Sequence, residues 1–483
     1  MHWSAVQRIV GLLLMLFSVT MLPPAAVAVL YQEPGLQPFG AAFALILGLG
    51  ALAWFPVRRA RYDLRTRDGF LVVVLFWTVL GVAGGLPLYL AEDPSIPWTD
   101  AAFESLSGLT TTGSTVLTGI DGLPHAILFY RQQLQWLGGM GIIVLAVAIL
   151  PMLGVGGMQL YRAETPGPVK DTKLTPRIAG TAKALWYIYL GLTITCALAY
   201  WGAGMSAFDA IGHSFSTVAI GGYSTHDASI GYFDSPLISM IGVVFMLIAG
   251  INFAMHFVAW RRRSLRHYLQ DTEVCWFLGI LATLSTVVAI TLFITGAAGG
   301  AGDTVHHSIF QSVSIATTAG FASTDFASWP VFLPVLLVMS AFIGGCATST
   351  AGGIKVVRFV LLLKQGHREV IRLIHPQAQV LVKMGKRAVD ERVINAVWGF
   401  FAAYIALFAV MMLVLMGTGL DQVTAFSAVA ATITNLGPGL GEVASHFGGI
   451  NPVAKWVLMV AMLLGRLEVF TLLVLFTPAF WRR

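Results

Sequence analysis

Long apolar runs alternate with short mixed segments along almost the whole chain. The runs occupy residues 9–31, 38–57, 70–91, 126–151, 184–204, 236–260, 274–296, 331–363, 393–416 and 453–480. Each reaches or approaches the ~20 residues that a helix needs to cross a bilayer, so ten membrane spans are expected. Four shorter amphipathic pieces stand between them, at 98–112, 206–220, 305–318 and 421–435. At about fifteen residues these are too short to span. After the first two runs, the order span, short helix, glycine loop, span recurs four times. The pattern predicts an all-α polytopic membrane protein. Four span–pore-loop–span repeats would surround a pseudo-fourfold pore, with two extra N-terminal helices. The expected division is 1–67 for two N-terminal transmembrane helices, 68–163 for pore repeat 1 and 164–263 for pore repeat 2. Pore repeat 3, with a broken second helix, follows at 264–363, then a basic cytoplasmic linker at 364–390 and pore repeat 4 at 391–483.

Composition excludes the soluble classes. Of 483 residues, 57% are hydrophobic and only 11% charged, with a mean hydropathy of +0.79. A soluble domain carries about 25% charged residues. Cys196, Cys275 and Cys346 lie far apart with no CxxC spacing, so no disulfide framework or zinc site is expected. Gly48-Leu49-Gly50-Ala51-Leu52-Ala53 matches GxGxxA but lies inside an apolar run, which predicts helix packing through small residues. Arg8, an apolar run and Ala26-Val27-Ala28 have the layout of a cleavable signal peptide. The run to Leu30 is long for that purpose, and an uncleaved span keeps the topology consistent.

Charge predicts the orientation. With ten spans, 26 of the 29 Lys and Arg fall on one side, in clusters at 58–67, 162–183, 261–266, 355–392 and 482–483 and at Arg8. The opposite side holds Arg131 and Lys455, and Arg466 lies inside a span. Basic loops stay cytoplasmic. Both termini are therefore expected in the cytoplasm, with the four loops opening outward. Thirteen acids between Glu33 and Glu442 face outward in this topology and would concentrate cations there. The net charge of +6 then reflects contact with anionic membrane lipid and no nucleic-acid partner.

The loops carry the chemistry. They are Thr110-Thr111-Thr112-Gly113, Ala219-Ile220-Gly221-Gly222, Thr317-Thr318-Ala319-Gly320 and Thr434-Asn435-Leu436-Gly437. Asp100 in the first turn of its short helix suits the helix dipole, and the carbonyl end offers partial negative charge to a cation inside the membrane. Gly113 frees the backbone to turn carbonyls toward an axis. Non-helical backbone at this depth is tolerated only where it is buried or lines a water path. Asp209 precedes Gly222 by the same interval, and Phe310, Ser312 and Ser314 align with Phe103, Ser105 and Ser107. Singly, each loop reads as a tight turn between helices. Four in register predict carbonyl oxygens pooled around one axis, with these sixteen residues as cation-binding candidates.

The run 331–363 has 33 residues, about 50 Å as helix, against a hydrocarbon core of roughly 30 Å. Its middle reads Gly344-Gly345-Cys346-Ala347-Thr348-Ser349-Thr350-Ala351-Gly352-Gly353-Ile354-Lys355. Each glycine costs a helix about 1 kcal/mol against alanine. Two readings stand: a close helix crossing through small residues, or an unwound segment that obstructs a pore. Arg466 also has two readings, an interhelical salt bridge without Glu468 or a positive charge beneath the loops. Its burial costs roughly 2.5–3.5 kcal/mol. Arg131 is expected as an outer polar brace near Gln132 and Gln135, and His213 as a hydrogen-bond partner of a neighbouring loop. His306 and His307 lack a third ligand at metal spacing and read as interfacial.

The four loop glycines, the two leading helices and the string from Gly344 to Lys355 resemble the Trk/Ktr/HKT superfamily of potassium transporters over nearly the whole chain. The resemblance implies potassium as the transported ion, bound at the sixteen loop residues, with no other cofactor and no enzyme activity. It implies an intramembrane gating loop that includes Gly344, Gly345, Thr348, Ser349, Gly352 and Gly353, with Lys355 and Arg466 beside it. Glycine at all four filter positions implies potassium preference, because a serine at the first accompanies sodium permeation in the family. Ala219 departs from the threonine-rich pattern and leaves the number of ion sites open. A homodimer and a cytoplasmic TrkA-type nucleotide-binding ring are also implied, the ring acting through the basic segment around Arg368 and Arg372. Channel and symport both fit, as does a sodium-permeable or cation-coupled relative. An intramembrane enzyme is disfavoured, since no span carries a paired His/Asp/Glu or Ser/His constellation.

Overall fold

The computed structural model describes residues 1–59, 65–144, 178–297, 299–330, 332–385 and 387–482. The expected junction at 163/164, the end of the run 126–151, and Arg61, Arg162, Lys170, Lys173, Arg177, Lys386 and Arg483 lie outside them. Among the described residues the chain is helical apart from one small hairpin, Lys383–Met384 paired antiparallel with Arg387–Ala388. Among the described residues, six helices are long and apolar enough to cross a membrane: Trp3–Leu30, Leu36–Val57, Arg67–Leu90, Lys183–Gly202, Thr272–Thr295 and Glu391–Gly417. The first two cross closely. A Cβ on Gly11 would meet the Gly50 carbonyl oxygen at 2.9 Å, whereas Gly48 faces open space. Small residues thus replace the nucleotide-like motif's apparent role with a helix contact.

Two expected straight spans are bent, and a third run is interrupted. The run 236–260 forms Pro236–Gly250 and Phe253–Arg262, bent by 95°. Asn252 causes the restart: its side chain accepts the Ala254 N–H at 2.8 Å and caps the second helix. The run 453–480 forms Pro452–Arg466 and Phe470–Phe476, bent by 110°. Here Glu468 and Val469 both take positive φ, 55° and 47°, which a right-handed helix cannot contain. The run 331–363 forms Phe332–Ser340 and Val356–Ile374 around an unwound segment, 341–355. That segment is longer than the expected 344–353. Gly344, Thr348, Gly353 and Lys355 all lie at positive φ within it, so it is no close-packed helix crossing.

The stretch 364–390 is likewise no plain linker. Its first part continues the helix to Ile374, and its end is the hairpin. Arg368 is buried and pairs with Glu391 at 2.6 Å, tying the helix to the start of Glu391–Gly417. Glu369 also contacts its guanidinium, at 3.3 Å, and both acids are exposed.

Four short helices occupy the interior: Trp98–Leu109, Ala207–Ala219, Ala301–Ala316 and Gln422–Ile433. The last nine residues of the first are all buried, as is most of each of the others. Three apolar clusters surround them: one joins the leading helices to the first and fourth repeats, one the third to the fourth, and one fills the second.

Candidate functional site

Each short helix ends in the same way. In the first, the Thr111 N–H donates to Gly108 O at 2.9 Å and the Thr112 N–H to Ser107 O at 2.8 Å. The corresponding pairs are Ile220 to Thr217 (3.1 Å) and Gly221 to Ser216 (2.9 Å), Thr318 to Ile315 (2.9 Å) and Ala319 to Ser314 (2.7 Å), and Asn435 to Thr432 (3.2 Å) and Leu436 to Ala431 (2.7 Å). This is the Schellman closure, which demands a left-handed residue just beyond the helix. Glycine is usual there. Here the residues are Thr111 (φ 51°), Ile220 (53°), Thr318 (69°) and Asn435 (56°). β-Branched residues in that region are outliers held by their surroundings, at about 1–3 kcal/mol each.

Two residues on, each loop returns to positive φ at a glycine: Gly113 (83°), Gly222 (79°), Gly320 (77°) and Gly437 (106°). Each of these glycines abuts the next loop. A Cβ on Gly113 would stand 2.0 Å from Gly221 O, on Gly222 2.0 Å from Ala319 O, and on Gly320 2.1 Å from Leu436 O. On Gly437 it would stand 2.8 Å from Thr112 O, which closes the circuit. Each of these carbonyls belongs to the residue just before a loop glycine. The sixteen residues singled out in the sequence are therefore brought together as one closed four-membered ring.

Side chains fix the ring differently in each loop. Thr110, Thr317 and Thr434 each return their hydroxyl to a helix carbonyl four residues back, at 2.7 Å. Ala219 lacks only this back-bond. Asn435 Nδ2 donates to Thr112 Oγ1 (2.9 Å), joining loops four and one, and Ser114 Oγ donates to Gly437 O (2.8 Å). Gln135 clamps loop two, donating to Gly221 O at 2.6 Å and accepting the Tyr223 N–H at 3.1 Å.

A second layer braces the strands that leave the ring. Glu104, His213 and Gln311 each stand nine residues before a loop glycine. Glu104 accepts from Thr115 Oγ1 (3.0 Å) and the Val116 N–H (2.9 Å), His213 Nε2 meets Ser224 Oγ at 2.9 Å, and Gln311 donates to Thr324 O at 2.8 Å. The fourth repeat has Ala428 there and uses Ser427, which accepts the Leu440 N–H at 2.8 Å. Arg131, almost fully buried, pairs with Glu104 at 2.7 Å, donates to Ser224 O at 3.2 Å and stacks 4.2 Å over the Tyr223 ring. It links the first repeat to the second. Beyond it, the Lys455 ammonium meets Asp100 at 2.6 Å. At the same mouth, burial raises the pKa of Asp121, but hydrogen bonds from His226 and Asp227 outweigh it and hold the carboxyl below its ordinary range. That acid stays charged beside the opening. His307 meets Ser323 at 2.9 Å, and no group of three or more metal-ligating side chains occurs among the described residues.

The unwound segment 341–355 lies on the helix-end side of the ring. The Gly352 N–H donates to Thr318 Oγ1 (2.7 Å) and the Gly353 N–H to Thr434 O (2.9 Å), while Thr350 Oγ1 donates to Val218 O (3.0 Å). Three of the four loops are thus capped from below. A Cβ on Gly352 would stand 1.9 Å from Thr434 O, so only glycine allows this approach. The segment is anchored laterally by Cys346 N–H to Gly250 O (2.9 Å) and Ala347 N–H to the buried Glu273 carboxylate (2.7 Å). Lys355 donates back to Ala351 O. Arg466 donates to Thr350 O at 3.3 Å, and no carboxylate pairs with it among the described residues. Glu468 pairs instead with Arg358 at 2.9 Å. Gly344, Gly345, Thr348 and Ser349 form the rest of the bend, with the Ser349 hydroxyl donating to Cys346 O at 2.6 Å.

Gln135, Tyr223 and Glu273 went unrecognised as site residues in the sequence, and Glu104 was read only as one of the outer acids. A buried carboxylate at a span's first turn, Glu273, was the one available signal.

The family model described as TrkH, cation transport protein, matches residues 35–483. The Trk system potassium uptake protein TrkH of Vibrio parahaemolyticus is 61% identical over 484 residues, covering 100% of both chains. The TrkH of Escherichia coli K12 is 59% identical, again over 100% of both, and its TrkG is 43% identical over 100% of this chain and 99% of its own. The crystal structure of the potassium transporter TrkH from Vibrio parahaemolyticus is similar with a TM-score of 0.93 at 58% identity, covering 100% of each chain.

Proposed function

The chain belongs to the TrkH family of cation transport proteins, and from that premise we propose that it takes up potassium across the cytoplasmic membrane. The ion passes through the ring, where carbonyl oxygens replace its hydration shell. The observation that carries this reading is the closed circuit of four glycines, each facing the carbonyl that precedes the next. Such a circuit needs four loops of one backbone shape around one axis. A tight turn between two helices needs neither. Close packing leaves no room to contract the ring around a smaller ion, which favours potassium over sodium. At about −100 mV each inward charge gains roughly 2.3 kcal/mol, so transport needs no ATP chemistry within this chain.

Segment 341–355 is the gate in this reading. Three hydrogen bonds hold it beneath the ring. At about 0.5–1.5 kcal/mol each, releasing it takes on the order of 2–5 kcal/mol. Helix Val356–Ile374 continues directly from it, and a TrkA-type cytoplasmic ring that moves this helix would supply that energy. Arg466 adds positive charge under the ring and limits cation occupancy. The two leading helices, four repeats and homodimeric assembly of the expected architecture, with both termini cytoplasmic, complete the proposal. The test is ion flux into liposomes that contain the purified chain alone. Potassium should be carried in clear preference to sodium, and equal rates for the two ions would sink the filter reading.

A further inference from the structure

An apolar groove of about 750 Å³ opens on the outside of the third repeat. One wall is helix Thr272–Thr295, through Trp276, Gly279 and Val287; the other is the broken helix, through Leu336, Ile343 and Phe359. From Cys275 to Val287 the groove follows twelve residues of helix, about 18 Å at 1.5 Å per residue. One leaflet of hydrocarbon is about 15 Å deep, half of the ~30 Å core. The groove therefore has the length of one leaflet. It is lined almost wholly by carbon, and the helix that forms it is one of the six membrane-spanning ones.

One end of the groove meets a different surface. Cys275, at that end, donates to Leu269 O at 3.2 Å. Leu269 belongs to the segment 260–270, which exposes Trp260, Leu265 and Leu269 while also presenting Arg261, Arg262, Arg263 and Arg266. Exposed Trp and Leu beside arginines is the composition of a membrane interface, where apolar groups enter the acyl boundary and guanidinium groups reach headgroups.

We propose that this groove and the arginine segment together bind one anionic phospholipid, with an acyl chain between helix Thr272–Thr295 and the broken helix and the phosphate on Arg261, Arg262, Arg263 and Arg266. The charge decides the occupant. A second copy of the chain would bring its own basic segment against this one, and an uncharged lipid would leave four arginines without a counter-ion. The lipid's chain lies against Ile343, inside the unwound segment 341–355, and Phe359, in the helix that follows it.

The test uses the purified full chain in mild detergent, with the thermal midpoint read during titration with dioleoyl phosphatidylglycerol. Phosphatidylcholine with the same chains and glycerol phosphate without chains run in parallel. Phosphatidylglycerol should raise the midpoint, phosphatidylcholine should raise it less, and glycerol phosphate should leave it unchanged. Gly279→Trp, where an added side chain meets open space, and Met339→Trp should each abolish the phosphatidylglycerol shift. Replacing Arg262, Arg263 and Arg266 by Ala together should reduce it to the phosphatidylcholine level. Brominated phosphatidylglycerol should quench the wild type more than Trp276→Phe, a comparison that needs no groove-filling variant. The proposal is overturned if the filled variants keep the full shift or if Trp276 contributes no quenching. It is equally overturned if glycerol phosphate alone reproduces the effect, which marks a free-phosphate site. Conversion of a dimer to monomer by Gly279→Trp with the lipid shift intact would assign the groove to a second copy and overturn it too.

Discussion

Replacing two loop glycines by alanine separates the shape of the ring from the stability of the chain. At Gly222, φ is 79° and a Cβ would stand 2.0 Å from Ala319 O. Cβ atoms essentially never approach closer than 3.0 Å, so the neighbouring carbonyl must retreat by about 1 Å. At Gly437, φ is 106° and the corresponding carbonyl, Thr112 O, is 2.8 Å away. There a retreat of about 0.2 Å suffices. Both substitutions hold an L residue in strained backbone, at about 1–3 kcal/mol each; the closer approach at Gly222 adds an overpacking cost of about 1–3 kcal/mol, so both should lower the melting temperature, Gly222→Ala the more. Only Gly222→Ala moves a ring carbonyl appreciably. If ion preference depends on where those oxygens sit, a loss of about 1.4 kcal/mol in discrimination is a tenfold fall in selectivity. Gly222→Ala should therefore lose about tenfold or more in potassium-over-sodium preference, and Gly437→Ala no more than about two- to threefold. The assay is bi-ionic flux in liposomes on variants whose melting temperature shows that they are folded. Equal losses in both folded variants, or the larger loss at Gly437, would refute the argument that ring geometry sets selectivity.

Arg131→Ala leaves the buried Glu104 unpaired and should cost about 3–5 kcal/mol, visible in thermal unfolding; a double variant with Glu104→Gln should recover part of it. A double variant no more stable than Arg131→Ala alone would mean that the two do not act as a pair. Glu273→Ala removes the lateral anchor at Ala347 and should raise potassium flux without any partner while ion preference stays the same. Resting flux at the wild-type level in a folded variant would count against the anchor. Arg466→Ala removes the charge beneath the ring and should raise flux. Reduced thermal stability with no gain in flux would instead identify a purely structural arginine.

Four backbone loops of one shape were legible in the chain because their information is local. A short amphipathic helix followed by a glycine recurs four times, so the register Gly113, Gly222, Gly320, Gly437 can be read without any fold, whereas the left-handed turn two residues earlier, at Thr111, Ile220, Thr318 and Asn435, shows only in the folded backbone. Ala219 looked like a defect in that register. In the folded chain the hydroxyl at its position turns back to the helix in the other three loops, so its loss removes one back-bond. Side-chain identity alone could not reveal that direction. Arg368 shows the converse: its burial against Glu391 is legible only in the folded chain.

The sequence by itself determined the membrane class, the apolar runs, the short helices between them and the glycines. These follow from hydrophobic length and from φ values that only certain residues accept, both properties of neighbours along the chain. Tertiary structure alone decided the rest. The ring closes between residues about a hundred positions apart, such as Gly113 and Gly221. Glu104 meets Arg131 across 27 positions, and Glu273 holds Ala347 across 74. The bend at Glu468 and Val469 has no local cause in residue type, since neither favours positive φ. Packing holds it, with Val469 fully buried. Hydrogen bonds and close contacts depend on distance in space, and in a bilayer the backbone polar groups must find such partners within the protein. Which partner it finds is settled only when the helices are in place.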